Sequence, residues 1–398
     1  MHAKGKLKRS YGAWRNWGKH LIDLRPADRP IADDAGRIGL ALSGGGFRAT
    51  LFHLGATWRL NELGLLPRLD TISSVSGGSI LSGLMAVHWS SLSFNEEVAT
   101  NFHEVVVEPI WKFCNRHVDY CAAVSNFLPR VNLLSLQYER GLVGRQTLQD
   151  LPDSPEFVFN AAHMETGRNW TFSKSRMRTY RLGSVERPEV RMSDVIAASS
   201  SFPLFFAPVV IALDPNDFRR TQFADLFDRV DLKKSISLAD GGLYDNLGTH
   251  AIRSFGTLFV SDASAPLDAE RQVGLIGRLL QRTKRPIDIA VEQSRALRRQ
   301  DLVGQLENGD KRGAMWTIRT SPVRYPLESP FTIGEGWISR IGAIRTRLNP
   351  FSVEEKAMLI NWGYLQCDLA IRSYYEDGAT EPPDLPFPDF HFDQEAFL

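Results

Sequence analysis

The chain has 398 residues, 47 Lys and Arg against 46 Asp and Glu, a net charge of +1 and 43% hydrophobic residues. That balance gives no global attraction to nucleic acid, and the apolar content suits one large buried core, although length alone leaves room for up to about three domains. No apolar run reaches the ~18 residues of a membrane span, the N-terminus has no signal-peptide core, and Cys114, Cys121 and Cys367 form neither a C-x-x-C pair nor a zinc pattern, which reads as reduced thiols in a cytoplasmic protein.

Residues 1–30 form a basic amphipathic segment, in which Lys4, Lys6, Lys8, Arg9, Arg15 and Lys19 accompany Tyr11, Trp14, Trp17, Leu21 and Ile22 at helical spacing. Such a stripe can dock on the protein's own body or lie in a bilayer interface. Residues 37–43 are short, apolar and rich in Ile and Leu, which predicts a buried strand, and residues 47–63 carry helix-spaced apolar side chains. Between them stand Gly44, Gly45 and Gly46, whose N–H groups at a helix start favour developing negative charge. The spacing fits neither a phosphate-binding loop nor a dinucleotide fingerprint, which leaves an oxyanion hole or a plain tight turn. A second strand is predicted over 69–75 and a helix over 77–88, so Ser76 sits at a strand-to-helix elbow. The elbow pattern G-x-S-x-G is altered, with Ser74 in place of its first glycine. Ser73, Ser74 and Ser79 are alternative hydroxyls better read as caps or helix-packing groups.

Residues 89–155 are longer than a plain connection, with helix-like spacing at 105–113 and 122–128 broken by Pro109 and Pro129. They form either a lid beside the elbow or helical padding. Strands are predicted at 156–162 and 170–173, followed by an apolar loop containing Phe202, Phe205 and Phe206. Asp240 ends the apolar run 235–239, and Gly241-Gly242 turns the chain away, leaving the carboxylate at a strand end where α/β sites assemble. Helices are predicted at 269–282, 286–305 and 353–375, with a strand at 314–319. The basic residues Arg278, Arg282, Lys284, Arg285, Arg295, Arg298 and Arg299 read as a solvated helix face, with anionic lipid as the sharper alternative. The tail 377–398 is acidic, proline-rich and carries Phe387, Phe390, Phe392 and Phe397, as a packed arm or an interaction segment would.

A serine hydroxyl needs a base to take its proton. Of nine histidines, His53 lies in the helix after the glycine loop and His250 in what reads as a helix ten residues beyond Asp240. The order Ser, Asp, His keeps His250 open as a triad member, but Asp240 itself is better placed as the base.

Four segments in order resemble the bacterial patatin-like phospholipases: Leu42 to Arg48, Ser74 to Gly78, Ala197 to Pro208, and Asp240-Gly241-Gly242-Leu243-Tyr244-Asp245-Asn246-Leu247-Gly248. The departures are Ser74 and Ala49, where many members have glycine. The resemblance implies a three-layer α/β/α fold with a central, mostly parallel sheet, here with a helical insertion at 89–155 and a C-terminal helical extension, in one catalytic domain over 31–376. It implies a Ser76–Asp240 dyad without histidine, oxyanion donors at Gly44, Gly45 and Gly46, and supporting roles for Arg48, Gly78, Gly241 and Gly242. Arg48 would brace the glycine loop or meet a lipid phosphate. The expected activity is hydrolysis of phospholipid or other lipid carboxyl esters, without metal or cofactor, at a membrane surface met peripherally. The rivals are a Ser-His-Asp thioesterase or peptidase using His250 or His53, and a non-catalytic lipid-binding module. Oligomeric state is not written in the sequence.

Overall fold

The computed structural model describes residues 34–119, 132–203, 205–264, 278–376, 379–382 and 384–393. The N-terminal segment 1–30, the expected helix at 122–128, Cys121 and Phe397 lie outside them.

The chain enters through strand β1 (Ile38–Leu42), helix α1 (Gly46–Glu62), strand β2 (Thr71–Val75) and helix α2 (Gly77–His88). All four stand within two residues of their predicted bounds. A small ribbon of β3 (Phe94–Asn95) and β4 (Val98–Ala99) follows, then α3 (Glu108–Phe113), entered directly from a wide helical turn at His103–Val107. Pro109 therefore does not break the helix. The helical stretch from His103 runs on through it to Phe113, forgoing the one hydrogen bond that a proline cannot donate. After α4 (Leu133–Tyr138) come β5 (Glu156–His163), β6 (Arg168–Phe172), β7 (Arg176–Thr179), β8 (Gly183–Glu186), α5 (Met192–Ser200), β9 (Val209–Ala212), β10 (Phe218–Arg219), α6 (Asp231–Lys234), β11 (Ser235–Asp240), α7 (Gly242–Asp245) and β12 (Thr257–Asp262). The chain closes with α8 (Arg278–Glu307), β13 (Arg312–Thr317), α9 (Trp337–Ala343) and α10 (Val353–Tyr374).

Strands pair in the order β10-β8-β7-β6-β5-β2-β1-β12-β13, with β11 attached to β5 and β9 to β11. The stretch β5-β2-β1-β12-β13 is parallel, and the β5-β6-β7-β8-β10 flank is antiparallel. Alternation along the central strands makes two cores. Leu40, Leu42 and Phe259 face the main one, beneath α1, α2 and α10, while Ala41, Leu258 and Val260 face a smaller one with Ile252, Phe255 and Leu302 of α8. The result is a mostly parallel central sheet with helices on both faces, a three-layer α/β/α arrangement.

Two features were not expected from sequence. Helix α8 is continuous through Pro286, where two helices were predicted; a 30-residue helix absorbs the one hydrogen bond its proline cannot make. Helix α10 is the expected C-terminal helical extension, and what was not expected is that it is buried along most of its length and crosses α1 at backbone contact. A Cβ on Gly363 would stand 1.8 Å from the Phe52 carbonyl oxygen, and one on Gly55 1.8 Å from that of Ile360. The crossing carries a buried ion pair, Arg59 to Asp368 at 2.8 Å. Helix α10 starts at a capping box in which Ser352 Oγ accepts from the Glu355 N–H at 3.1 Å and Glu355 accepts from the Ser352 N–H at 2.8 Å.

The described tail is a packed arm. Phe387 stacks on Trp111 at 4.9 Å between ring centroids, and Phe392 wedges between Trp337 and Trp362 at 5.4 and 5.3 Å. Asn361 of α10 donates to the carbonyls of Phe387 and Phe390, which fixes the arm's backbone. The described part of the 89–155 insertion is also packed: Phe113 lies edge-on to Phe47 of α1 and contacts Tyr138 of α4 inside the main core, as padding would.

Candidate active site

Strand β5 is longer than β2 and extends past its end. Its first half pairs with β2 in parallel, ending at Val75 opposite Asn160, and on the same edge its second half pairs antiparallel with β11, ending at Asp240 opposite Ala161. The C-terminal ends of β2 and β11 therefore meet head on over adjacent residues of β5. Ser76 follows the first end and Asp240 closes the second, 164 positions apart in sequence, and the Ser76 side chain comes near enough to Asp240 to lower its proton affinity.

Ser76 has φ 51 and ψ −117, a region that non-glycine residues rarely occupy and that costs on the order of 1–3 kcal/mol. The strained turn lifts the hydroxyl clear at the N-terminus of α2. Its backbone is held from behind. The Ser76 N–H donates to Ser199 Oγ at 3.1 Å, and Ser199 Oγ donates to the Asn160 carbonyl at 2.7 Å. Asn160 Nδ2 in turn donates to Ser73 Oγ and the Ser74 carbonyl. Ser74, which replaces the elbow glycine, has its hydroxyl absorbed in the same network, accepting from Ser79 Oγ at 3.0 Å and Ser82 Oγ at 2.6 Å. The alternative serines are thus structural hydroxyls, buried behind the elbow.

Asp240 is buried, with 3% of its surface exposed. Burial pushes its carboxyl up to about 6, against the opposing effect of hydrogen bonds from Ser76 and from the Gly242 N–H, the latter 2.7 Å from Oδ1. A carboxylate with that proton affinity holds the charge needed of a base at neutral pH while still binding a proton strongly enough to return it. Gly241 donates to the Ser199 carbonyl at 3.1 Å and Asp240 to that of Ser201 at 3.0 Å, which lock the turn to α5.

The glycine loop lies against the elbow. Gly45 and Gly46 have φ of 142° and 58°, and their N–H groups donate to no backbone carbonyl among the described residues. Gly44 differs: its N–H, expected as an oxyanion donor, is committed to the Asn246 carbonyl at 3.0 Å. Gly78 N–H donates to the Ser43 carbonyl at 3.2 Å, pinning α2 to the loop. Arg48 is buried and donates to the carbonyls of Gly342, Ile344 and Ala263 at 2.9, 2.8 and 3.0 Å. It braces α1 against α9 and the loop after β12 rather than facing a ligand.

The histidines are occupied elsewhere. His53 is fully buried, with Nδ1 2.7 Å from Ser261 Oγ and Nε2 2.9 Å from the Ser43 carbonyl, and burial lowers its proton affinity to about 4. It ties β1 to β12 beneath the glycine loop. His250 stands in a turn, not in the helix expected, because the chain after α7 is anchored by Asp245 accepting from the His250 N–H at 2.7 Å. Its ring lies on Tyr244 and 2.9 Å from Arg253 Nη1, and burial and that arginine lower it to about 3. The basic face of α8 is likewise not simply solvated: Arg295 is buried on Asp262 at 2.8 Å, because Asp262 at the inner end of β12 needs a counter-charge. The side chains of Arg278, Arg282 and Lys284 lie outside the described set.

Sequence reasoning missed Asn160, Ser199 and Asn246 as parts of the site. A lone Asn in the apolar run of β5 was a readable signal for the first, and the other two lie in segments already singled out.

Among solved structures, human GIVD cytosolic phospholipase A2 bound to methyl gamma-linolenyl fluorophosphonate is similar at 15% identity over 85% of this chain and 58% of that one, with a TM-score of 0.44. VipD from Legionella pneumophila is similar at 14% identity over 84% of this chain and 66% of that one, with a TM-score of 0.37. The full-length ExoU–SpcU complex from the type III secretion system of Pseudomonas aeruginosa matches at 15% identity over 69% of this chain and 53% of the other, with a TM-score of 0.24. The chain thus spans between half and two thirds of the length of these proteins. No curated protein matches it at significance. The family model for patatin-like phospholipases matches residues 40–252, more than half of the sequence and the whole stretch from the glycine loop to the turn after Asp240: the chain belongs to the patatin-like phospholipase family.

Proposed function

We propose that this chain is a lipid acyl hydrolase that cleaves carboxyl esters of phospholipids through an acyl-enzyme on Ser76, with Asp240 as base. The observation that carries the reading is the strained Ser76 elbow set, by the meeting of β2 and β11 on β5, beside a buried carboxylate whose proton affinity is raised to about 6. Asp240 takes the Ser76 proton as Oγ attacks the ester carbonyl carbon. The N–H groups of Gly45 and Gly46 hold the resulting oxyanion. Collapse breaks the bond between acyl carbon and alcohol oxygen, and the proton on Asp240 passes to the departing alkoxide. Water then attacks the acyl carbon, gives its proton to Asp240, and Ser76 leaves with that proton as the fatty acid is released. Among the described residues no helix is long and apolar enough to cross a membrane, so the proposed encounter with lipid is peripheral.

The test is fatty-acid release from mixed phospholipid vesicles, beside turnover of a short soluble ester, by the wild type and by Ser76→Ala, Asp240→Asn and His250→Ala. The first two variants are expected to lose activity by roughly a thousandfold or more, and the third to keep it. Loss in His250→Ala with Asp240→Asn active would establish a histidine mechanism instead. Vesicle binding by a wild type that turns over neither substrate would identify a lipid-binding module.

A further inference from the structure

The stretch from Asp240 to Gly248 contains Asn246, to which the proposed chemistry assigns no part. Its backbone carbonyl accepts the Gly44 N–H at 3.0 Å, the bond that turns that N–H away from the oxyanion position. Its side chain is anchored on the far side, where Nδ2 donates to Ser264 Oγ at 2.8 Å. That anchor sends Oδ1 the other way, between two glycines of the site. A Cβ on Gly44 would stand 2.3 Å from Asn246 Oδ1 and 3.2 Å from Ser76 Cβ; a Cβ on Gly242 would stand 2.6 Å from the same Oδ1 and 2.9 Å from Asp240 Oδ1. The carboxamide thus fills the gap between the glycine beside the nucleophile and the glycine beside the base. Its anchor is itself fixed, because the Ser264 N–H donates to Asp262 Oδ1 at 2.9 Å and Asp262 is held by Arg295 of α8 at 2.8 Å.

We propose that Asn246 is a positioning residue that sets the spacing between the oxyanion loop and the Asp240 turn across Ser76. The proposal rests on the dyad reading above. It explains why glycine stands at both Gly44 and Gly242, since any side chain at either would displace the wedge. It also connects the site to α8, which grips the same turn through Arg298 Nη2 on the Tyr244 carbonyl at 3.2 Å.

The charged and titratable groups around this part of the site are Asp240 itself, Asp245 with Arg298, Asp262 with Arg295, His250 with Arg253 on the same turn and lowered to about 3, His53 on α1, and Tyr138 on α4, which faces Asp240. Tyr138 is buried against Ser200, its hydroxyl ionising well above the ordinary range, and His53 titrates at about 4. A new carboxylate at position 246 would therefore act mainly on Asp240.

The experiment compares Asn246→Ala, Asn246→Asp, Ser264→Ala and Ser76→Ala by melting temperature, by kcat and KM on a short-chain p-nitrophenyl ester across pH, and by the rate of covalent labelling with an alkyl fluorophosphonate. Asn246→Ala is expected to lower kcat and the labelling rate by roughly 10- to 100-fold with KM little changed, the result of misplacing donors and base by about an ångström. Asn246→Asp keeps the shape and adds a like charge beside Asp240, so the acid limb of kcat/KM should move up by about one pH unit. A wild-type kcat and labelling rate in Asn246→Ala, or an unmoved acid limb in Asn246→Asp, would overturn the proposal. Should the Asn246 variants fail to fold, Ser264→Ala decides: it removes only the anchor, and an unchanged kcat would refute the wedge. Activity and labelling retained in Ser76→Ala would sink the dyad reading instead, which separates the two failures.

Discussion

Replacing Asp240 by Asn should stabilise the protein while abolishing its activity, and the stabilisation should grow with pH. The carboxyl is held at about 6 against a usual 3.8, so the folded chain binds this proton more tightly than the unfolded chain does. The contribution of Asp240 to stability is therefore most favourable below about 3.8 and is lost as pH rises through about 6. At 1.36 kcal/mol per pH unit, the penalty relative to an unperturbed aspartate is about 1 kcal/mol at pH 4.5 and about 3 kcal/mol at pH 8. Asn titrates nowhere in this range and keeps an oxygen for the Gly242 N–H. An unfolding entropy of about 2.1 cal/mol/K per residue makes 1 kcal/mol worth roughly 1.2 °C in a chain of 398 residues. The melting temperature of Asp240→Asn minus that of the wild type should thus rise by about 2 °C between pH 4.5 and pH 8. Calorimetry at matched ionic strength reads this directly. A difference that stays flat, or falls with pH, would refute the claim that burial rather than hydrogen bonding dominates this carboxyl.

Three further expectations follow from the same geometry. The base must be ionised, so kcat/KM on a soluble ester should climb with pH and level off above about 6; a limb near 4 would mean Asp240 is solvated in the working enzyme. Gly44→Ala places a methyl 2.3 Å from Asn246 Oδ1 beside Ser76, and should cut kcat by roughly 100-fold with the fold retained by circular dichroism; near-normal turnover would show that the loop can yield. Gly363→Ala drives a Cβ to 1.8 Å from the Phe52 carbonyl, where backbone faces backbone, and should cost several kcal/mol in urea unfolding; a loss below about 1 kcal/mol would mean α1 and α10 are not in contact there.

The parts of this molecule legible in its sequence are those governed by neighbours in the chain. Apolar periodicity and glycine punctuation place β1, α1, β2 and α2 closely, and with them the elbow at Ser76, because strand, turn and helix there each depend on a few consecutive residues. Asp240 is legible as a carboxylate at a strand end, where it reads as exposed, but neither its burial nor the direction of its strand is. What brings Asp240 to Ser76 is the length of β5, which lets β2 and an antiparallel β11 share one edge, and pairing of that range is written in no local pattern. The same limit explains Gly44. A run of three glycines reads as three equivalent donors, and only the approach of Asn246, 202 positions later, makes the first of them structural. Arg295 reads as solvated because its partner Asp262 comes from another element, and the crossing of α10 over α1 goes unread because its closest contacts are made by Gly55 and Gly363, one on each helix, which leave no hydrophobic signature. The chemistry proposed for the site is therefore carried by short motifs, while its geometry is set by the long-range contacts between them: β5 fixes where Asp240 and Ser76 meet, and the Asn246 carbonyl holds Gly44 of the glycine loop.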